Sequence, residues 1–170
     1  MRRTSLARVM TRACAIALCA SIGAAIGVAG GGSAARADDA KDSDPPLPPG
    51  PIKDRHELME GVGKNAKAIG GALKAGKAAD VVAPAEAIAS VMDKFLTLFP
   101  EGSSGQGSRA KADVWKDRAR FDELAKQLAT QATALAAAGK ADGDIRAAGS
   151  AMFKTCKSCH DQFREPMQGE

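Results

Sequence analysis

Ile52-Lys53-Asp54-Arg55-His56-Glu57-Leu58-Met59-Glu60-Gly61-Val62-Gly63-Lys64-Asn65-Ala66-Lys67-Ala68-Ile69-Gly70-Gly71-Ala72-Leu73 is the stretch that decides the fold class. Ile52, Arg55, Met59, Val62, Ala66, Ile69 and Leu73 step by threes and fours without a break. That spacing puts side chains on one face of a helix with 3.6 residues per turn, and over about six turns it makes a stripe of bundle type. Lys64, Lys67 and Lys74 lie off the stripe, and Gly76 is placed to close the helix. One position breaks the apolar rule: Arg55, one turn before Met59.

Three further stripes follow. The second runs through Val81, Ala85, Ile88, Met92, Phe95 and Phe99, with Pro84 in its first turn and Pro100 as its stop. A polar loop rich in Gly and Ser, Glu101 to Ala112, leads to a third helix carrying Phe121, Leu124, Leu128, Ala132 and Leu135. Trp115 lies near its start and Gly139 at its end. The fourth begins near Asp142 or Asp144, either of which suits a cap, and carries Ile145, Gly149, Met152, Cys156, Cys159, His160 and Phe163 up to Pro166. No strand-like alternation competes with this pattern. Aromatics are only 4% and Tyr is absent, which suits closely packed helices better than sheets. The expected architecture is an all-α antiparallel four-helix bundle occupying residues 51–170.

The first 37 residues read as a secretory signal. Arg2, Arg3, Arg8 and Arg12 precede an apolar run from Ala13 to Gly30, and Ala35-Arg36-Ala37 fits a cleavage site that leaves Asp38 as the mature N-terminus. An uncleaved anchor is the rival reading, because the run is nearly long enough to span a bilayer. Cys19 is a poor lipoprotein site, since the bulky Leu18 precedes it. Residues 38–50 are acidic and Pro-rich and read as an extended leader. Five of the 24 Lys and Arg lie in residues 1–37 and no acid does, so the remainder carries 19 bases against 20 acids, a net of −1. A near-neutral body gives no electrostatic case for nucleic acid. Signal removal leaves no stable membrane span, and the expected location is the periplasm.

Cys156-Lys157-Ser158-Cys159-His160 carries the chemistry. Removing the signal removes Cys14 and Cys19, so this is the mature chain's one pair of thiols. Cys-x-x-Cys-His is the c-type haem attachment pattern. On a helix, residues i, i+3 and i+4 share a face, so two thiols one turn apart can each add to a vinyl group while the adjacent His offers a ring nitrogen to iron. A structural zinc site would want four ligands, and the second His, His56, is about 100 residues away. A thioredoxin-like dithiol would sit in a βαβ pattern, which is absent. One haem c is therefore expected, joined through Cys156 and Cys159, with His160 on the iron.

The pattern Cys156-Lys157-Ser158-Cys159-His160-Asp161-Gln162-Phe163-Arg164 ending a fourth helix resembles the cytochrome c′ superfamily. So does Ile52-Lys53-Asp54-Arg55-His56-Glu57-Leu58-Met59 in the first helix, and the likeness covers residues 51–165, including Leu98-Phe99-Pro100 and Trp115. The resemblance implies a choice between two branches. In the high-spin branch the residue four after the first-helix Arg is apolar, and the open sixth site binds small gases. In the low-spin cytochrome c556 branch it is a Met that ligates iron. Met59 stands there, so the resemblance implies the low-spin branch. It also implies that Arg164 touches the haem edge or a propionate; without it, Arg164 is simply a cation near a helix C-terminus.

The residues alone say less about Met59, since a stripe Met is ordinarily core filler. Met92 and Met152 are also stripe Mets, but Met152 lies one turn from Cys156 on the same helix and Met92 has no polar neighbour to mark a haem edge. Arg55 beside Met59 is a core cation in need of an anion, which haem propionates would supply. His56, off the main stripe, is the rival ligand. The leading expectation is a monohaem one-electron carrier with His160 and Met59 on the iron, serving periplasmic redox proteins as a monomer or homodimer. The alternative is a high-spin protein binding NO or CO at an open sixth site. No acid–base pair or nucleophile marks an enzyme.

Overall fold

The computed structural model describes residues 46–166; the signal, its cleavage site and residues 38–45 of the leader lie outside them. Among the described residues five α-helices follow in order: α1 (Pro51–Ala75), α2 (Val82–Thr97), the short α3 (Asp113–Lys116), α4 (Arg118–Lys140) and α5 (Ile145–Phe163). The four long ones form the expected bundle, with α1 on α2, α2 on α4, α4 on α5 and α1 on α5. Among the described residues no helix is long and apolar enough to cross a membrane.

The helix boundaries follow from local chemistry. Pro51 opens α1, where its missing N–H costs nothing, and Gly76 closes it at φ 68°, with Lys77 N–H returning to Ala72 O at 3.0 Å. A 3-10 turn over Ala79–Val81 leads directly into α2, which ends at Thr97 ahead of Pro100. Of the two acids before α5, Asp144 is the cap, accepting from Arg146 and Ala147 N–H; Asp142 sits in the connection at φ 49°.

Two expectations need correcting. The third stripe lies wholly in α4, but Trp115, expected near its start, stands on the separate short α3; the chain breaks at Asp117, whose side chain accepts from Arg120 N–H as α4 begins. The break leaves the Trp115 indole N–H donating to Pro100 O at 3.0 Å. And Gly139 does not end its helix; α4 runs on to Lys140. Gly139 is buried where α4 meets the 3-10 turn, and a Cβ there would lie 2.7 Å from Ala78 O. Gly149 does the same for α5 against α1, where a Cβ would lie 2.5 Å from Leu73 Cδ1. Both glycines make room between helices.

One core runs the length of the bundle, with Ile69, Ile88, Leu135 and Met152 sealed inside. Toward the end where α2 and α5 terminate, the packing opens around a cavity.

Candidate functional site

The cavity holds about 420 Å³, within the range of small-molecule and cofactor pockets. All five phenylalanines of the chain line it: Phe95 and Phe99 from α2, Phe121 from α4, Phe153 and Phe163 from α5. Phe99 packs edge-on to Phe95 and Phe121 at 4.8 and 4.7 Å between centroids, and Phe121 to Phe163 at 5.3 Å. An aromatic-poor chain has concentrated nearly all its aromatic surface on one chamber.

Cys156, Cys159 and His160 meet this chamber from α5, and Met59, Arg55 and His56 from α1. Both thiols are free and half-buried. Burial pushes both above the ordinary thiol value; Cys159 rises to about 11, with the Cys156 charge adding and Arg120 opposing. They are neutral thiols against an apolar wall. His160 is half-buried, and burial lowers its pKa first, Arg164 and Arg109 next, with Asp161 working against them. The neutral imidazole so favoured is the form that keeps a lone pair for a metal.

Met59 is half-buried at the cavity, and so it has access to whatever fills it. Met92 also reaches the cavity, though no polar neighbour in sequence marks it, whereas Met152 is in the core. His56 is exposed at the rim. Arg164 lines the wall just past the end of α5. Arg55 is only 6% exposed, and burial lowers its pKa. Its terminal nitrogens donate to Leu98 O (3.3 Å), Ser103 Oγ (3.1 Å), Ser103 O (2.6 Å) and Ser108 Oγ (2.5 Å), and the guanidinium lies 4.8 Å from the Phe99 ring centre. Among the described residues no carboxylate pairs with it.

Sequence reasoning missed Ser103, Ser108, Arg109 and Arg118. The serines lie in a loop with no period to read. Arg109 lines the cavity with its Nε buried and unpartnered, while its Nη2 donates to Glu165 O at 2.9 Å. Arg118 ties α4 to the end of α2 through Leu96 O (2.8 Å) and Phe99 O (3.1 Å).

A pair of thiols one turn apart with a neutral His beside them, facing an aromatic-walled chamber edged by three arginines and one glutamate, fits a flat apolar cofactor with anionic edge groups. The sequence matches the cytochrome C′ family over residues 50–164. The chain belongs to the cytochrome c′ family. Cytochrome c′ of Rhodopseudomonas palustris is 32% identical over 117 residues, covering 66% of this chain and 80% of that one. Cytochrome c′ of Pararhodospirillum photometricum is 36% identical over 120 residues, covering 67% and 95%. The solved structure of the Rhodopseudomonas palustris protein superposes with a TM-score of 0.63 at 31% identity, covering 71% of this chain and all of its own. As a cytochrome c′ family member the chain carries one covalent haem c, through Cys156 and Cys159. These relatives are all named cytochrome c′, so they support the family and not the low-spin c556 branch that the position of Met59 implies.

Proposed function

We propose that this chain is an exported monohaem cytochrome c′ in which His160 is the protein's one iron ligand and the sixth site opens into the cavity, taking a small neutral molecule such as NO or CO. The observation that carries this reading is the identity of 32% and 36% to proteins named cytochrome c′ across nearly the whole helical domain. When bound, the haem supplies an iron that accepts imidazole, a diatomic ligand and a single electron. The chain's own residues do the rest. Cys156 and Cys159 fix the group to α5. Burial keeps His160 neutral and able to ligate. The phenylalanines exclude water and give a neutral diatomic an apolar surroundings, and Arg109 and Arg164 place positive charge at the cavity wall, where carboxylates of the cofactor would be stabilised. In this reading Met59 is wall rather than ligand. Residues 1–37 direct export to the periplasm, where redox proteins would supply or take the electron.

The one-electron carrier with Met59 on the iron is a second reading, favoured by one observation: Met59 comes from α1 onto the same cavity that receives His160 from α5. An absorption spectrum of purified holoprotein, with and without CO, separates the two. A high-spin spectrum that changes on adding CO is expected, and Met59→Leu, a swap of similar volume costing less than about 1.5 kcal/mol, should leave it high-spin. A low-spin wild type that turns high-spin in Met59→Leu, but not in Met92→Leu or His56→Gln, would overturn the open site and establish the carrier.

A further inference from the structure

Each terminal nitrogen of an arginine carries two hydrogens, and each terminal nitrogen of Arg55 makes two hydrogen bonds. All four acceptors lie on one stretch of chain, from Leu98 at the end of α2 to Ser108. Only Nε–H is left for anything in the cavity. A cation that the sequence marks as a partner for cofactor carboxylates is therefore already engaged by its own protein, through groups that carry no charge.

The stretch it holds is part of the chamber. Gly107, Ser108, Arg109 and Ala110 all line the cavity, forming a strap between α1 and the end of α5. At the α5 end the strap is pinned by backbone: Lys111 N–H donates to Phe163 O (3.0 Å) and Glu165 N–H to Arg109 O (2.8 Å). At the α1 end, among the described residues, no backbone bond joins it to the helix, and the hydrogen bonds to it from α1 all come from Arg55. Ser108 Oγ also accepts from Ala110 N–H (3.2 Å), so the same hydroxyl that Arg55 grips sets the turn into the bridged segment. Gly107, at φ 80°, is packed closely by Leu47, which adds an apolar contact.

We propose that Arg55 is a positioning residue that holds the 103–110 strap shut as a wall of the haem cavity, and thereby sets how fast a small ligand enters. The entry-rate part rests on the gas-binding reading; the wall itself does not. A strap fixed by a few side-chain hydrogen bonds opens by local rather than global unfolding, and each bond lost raises the open population about fivefold.

The strap reports its own opening, because Arg109 and Lys111 are trypsin sites within and beside it, and a protease cuts there only when several residues on both sides come free, which requires the Arg55 grip on the neighbouring Ser108 to open as well as the α5 bridge. Holoprotein variants Ser103→Ala/Ser108→Ala and Arg55→Leu are digested under native conditions and mapped by mass, and CO association is timed after flash photolysis. Cleavage after Arg109 or Lys111 should rise at least about fivefold in both variants, while cleavage after Lys126, within α4, stays at the wild-type rate. CO association should quicken alongside strap cleavage. The serine variant keeps the test open if Arg55→Leu does not fold. Strap cleavage unchanged in the serine variant overturns the proposal, as does an equal rise at Lys126, which would mean global destabilisation. A changed reduction potential in Arg55→Leu with cleavage unchanged also overturns it, assigning Arg55 to the cofactor's charge. If wild type binds no CO, the gas-binding reading fails by itself, and the trypsin map still decides the wall.

Discussion

Gly139→Ala in α4 and Gly71→Ala in α1 are the same chemical change with opposite expected signs. Gly71 is exposed, and a Cβ there meets nothing within 4 Å. Removing backbone freedom in a helix interior should stabilise by about 0.5–1 kcal/mol. Gly139 gains the same propensity, but its Cβ would lie 2.7 Å from Ala78 O, 2.8 Å from Val81 Cγ2 and 2.9 Å from Val82 Cγ2. Ordinary carbon contacts are about 3.5–4.0 Å, so the 3-10 turn must retreat by roughly 0.7 Å or more. Ala78 O is backbone engaged with Val81 N–H, and β-branched valines have few rotamers to escape into. Overpacking of this kind costs about 1–3 kcal/mol, which leaves Gly139→Ala destabilising by up to about 2 kcal/mol after the propensity gain. The two variants should therefore differ by about 1–3 kcal/mol. For a domain of this size that is a separation of about 4–12 °C in Tm, with Gly71→Ala the higher. Thermal unfolding of holoprotein followed by far-UV circular dichroism measures it. A Gly139→Ala protein as stable as Gly71→Ala would mean that α4 does not press on the turn as described.

Three further outcomes are expected. Cys156→Ala with Cys159→Ala should yield protein from which acid–acetone extraction removes all haem, and its unfolding midpoint should drop, because a bound group that prefers the folded state stabilises it; residual covalent haem would refute the attachment site. In haem-free wild-type chain, the raised thiol pKa means that Cys159, at about 11, is almost wholly protonated at pH 8, so alkylation should be about two orders of magnitude slower than in urea and should rise about tenfold per pH unit toward pH 11. Equal alkylation rates in the folded and unfolded chain at pH 8 would contradict that burial. Intact mass of exported protein should correspond to a chain starting at Asp38, and retention of residues 1–37 would favour the uncleaved anchor.

The sequence by itself determined the helical class, the four long stripes and the shared face of Cys156, Cys159 and His160. These are local facts: a period of 3.6 fixes which residues share a face, and Cys156, Cys159 and His160 sit within five residues of one another, so one turn of helix brings them together whatever the rest of the chain does. It also marked Arg55 as a cation out of place on an apolar stripe. What Arg55 touches was not legible, because Leu98, Ser103 and Ser108 lie more than 40 residues away in a segment without periodicity. The role of Gly139 was misread for the same reason: next to a connection it looks like a helix end, and only the approach of the turn at Ala78 shows that it is a space. That all five phenylalanines converge on one chamber, that Met92 as well as Met59 reaches it, and that the strap at 107–110 walls it are decided by how α1, α2, α4 and α5 pack, since contacts across helices carry no signature along the chain.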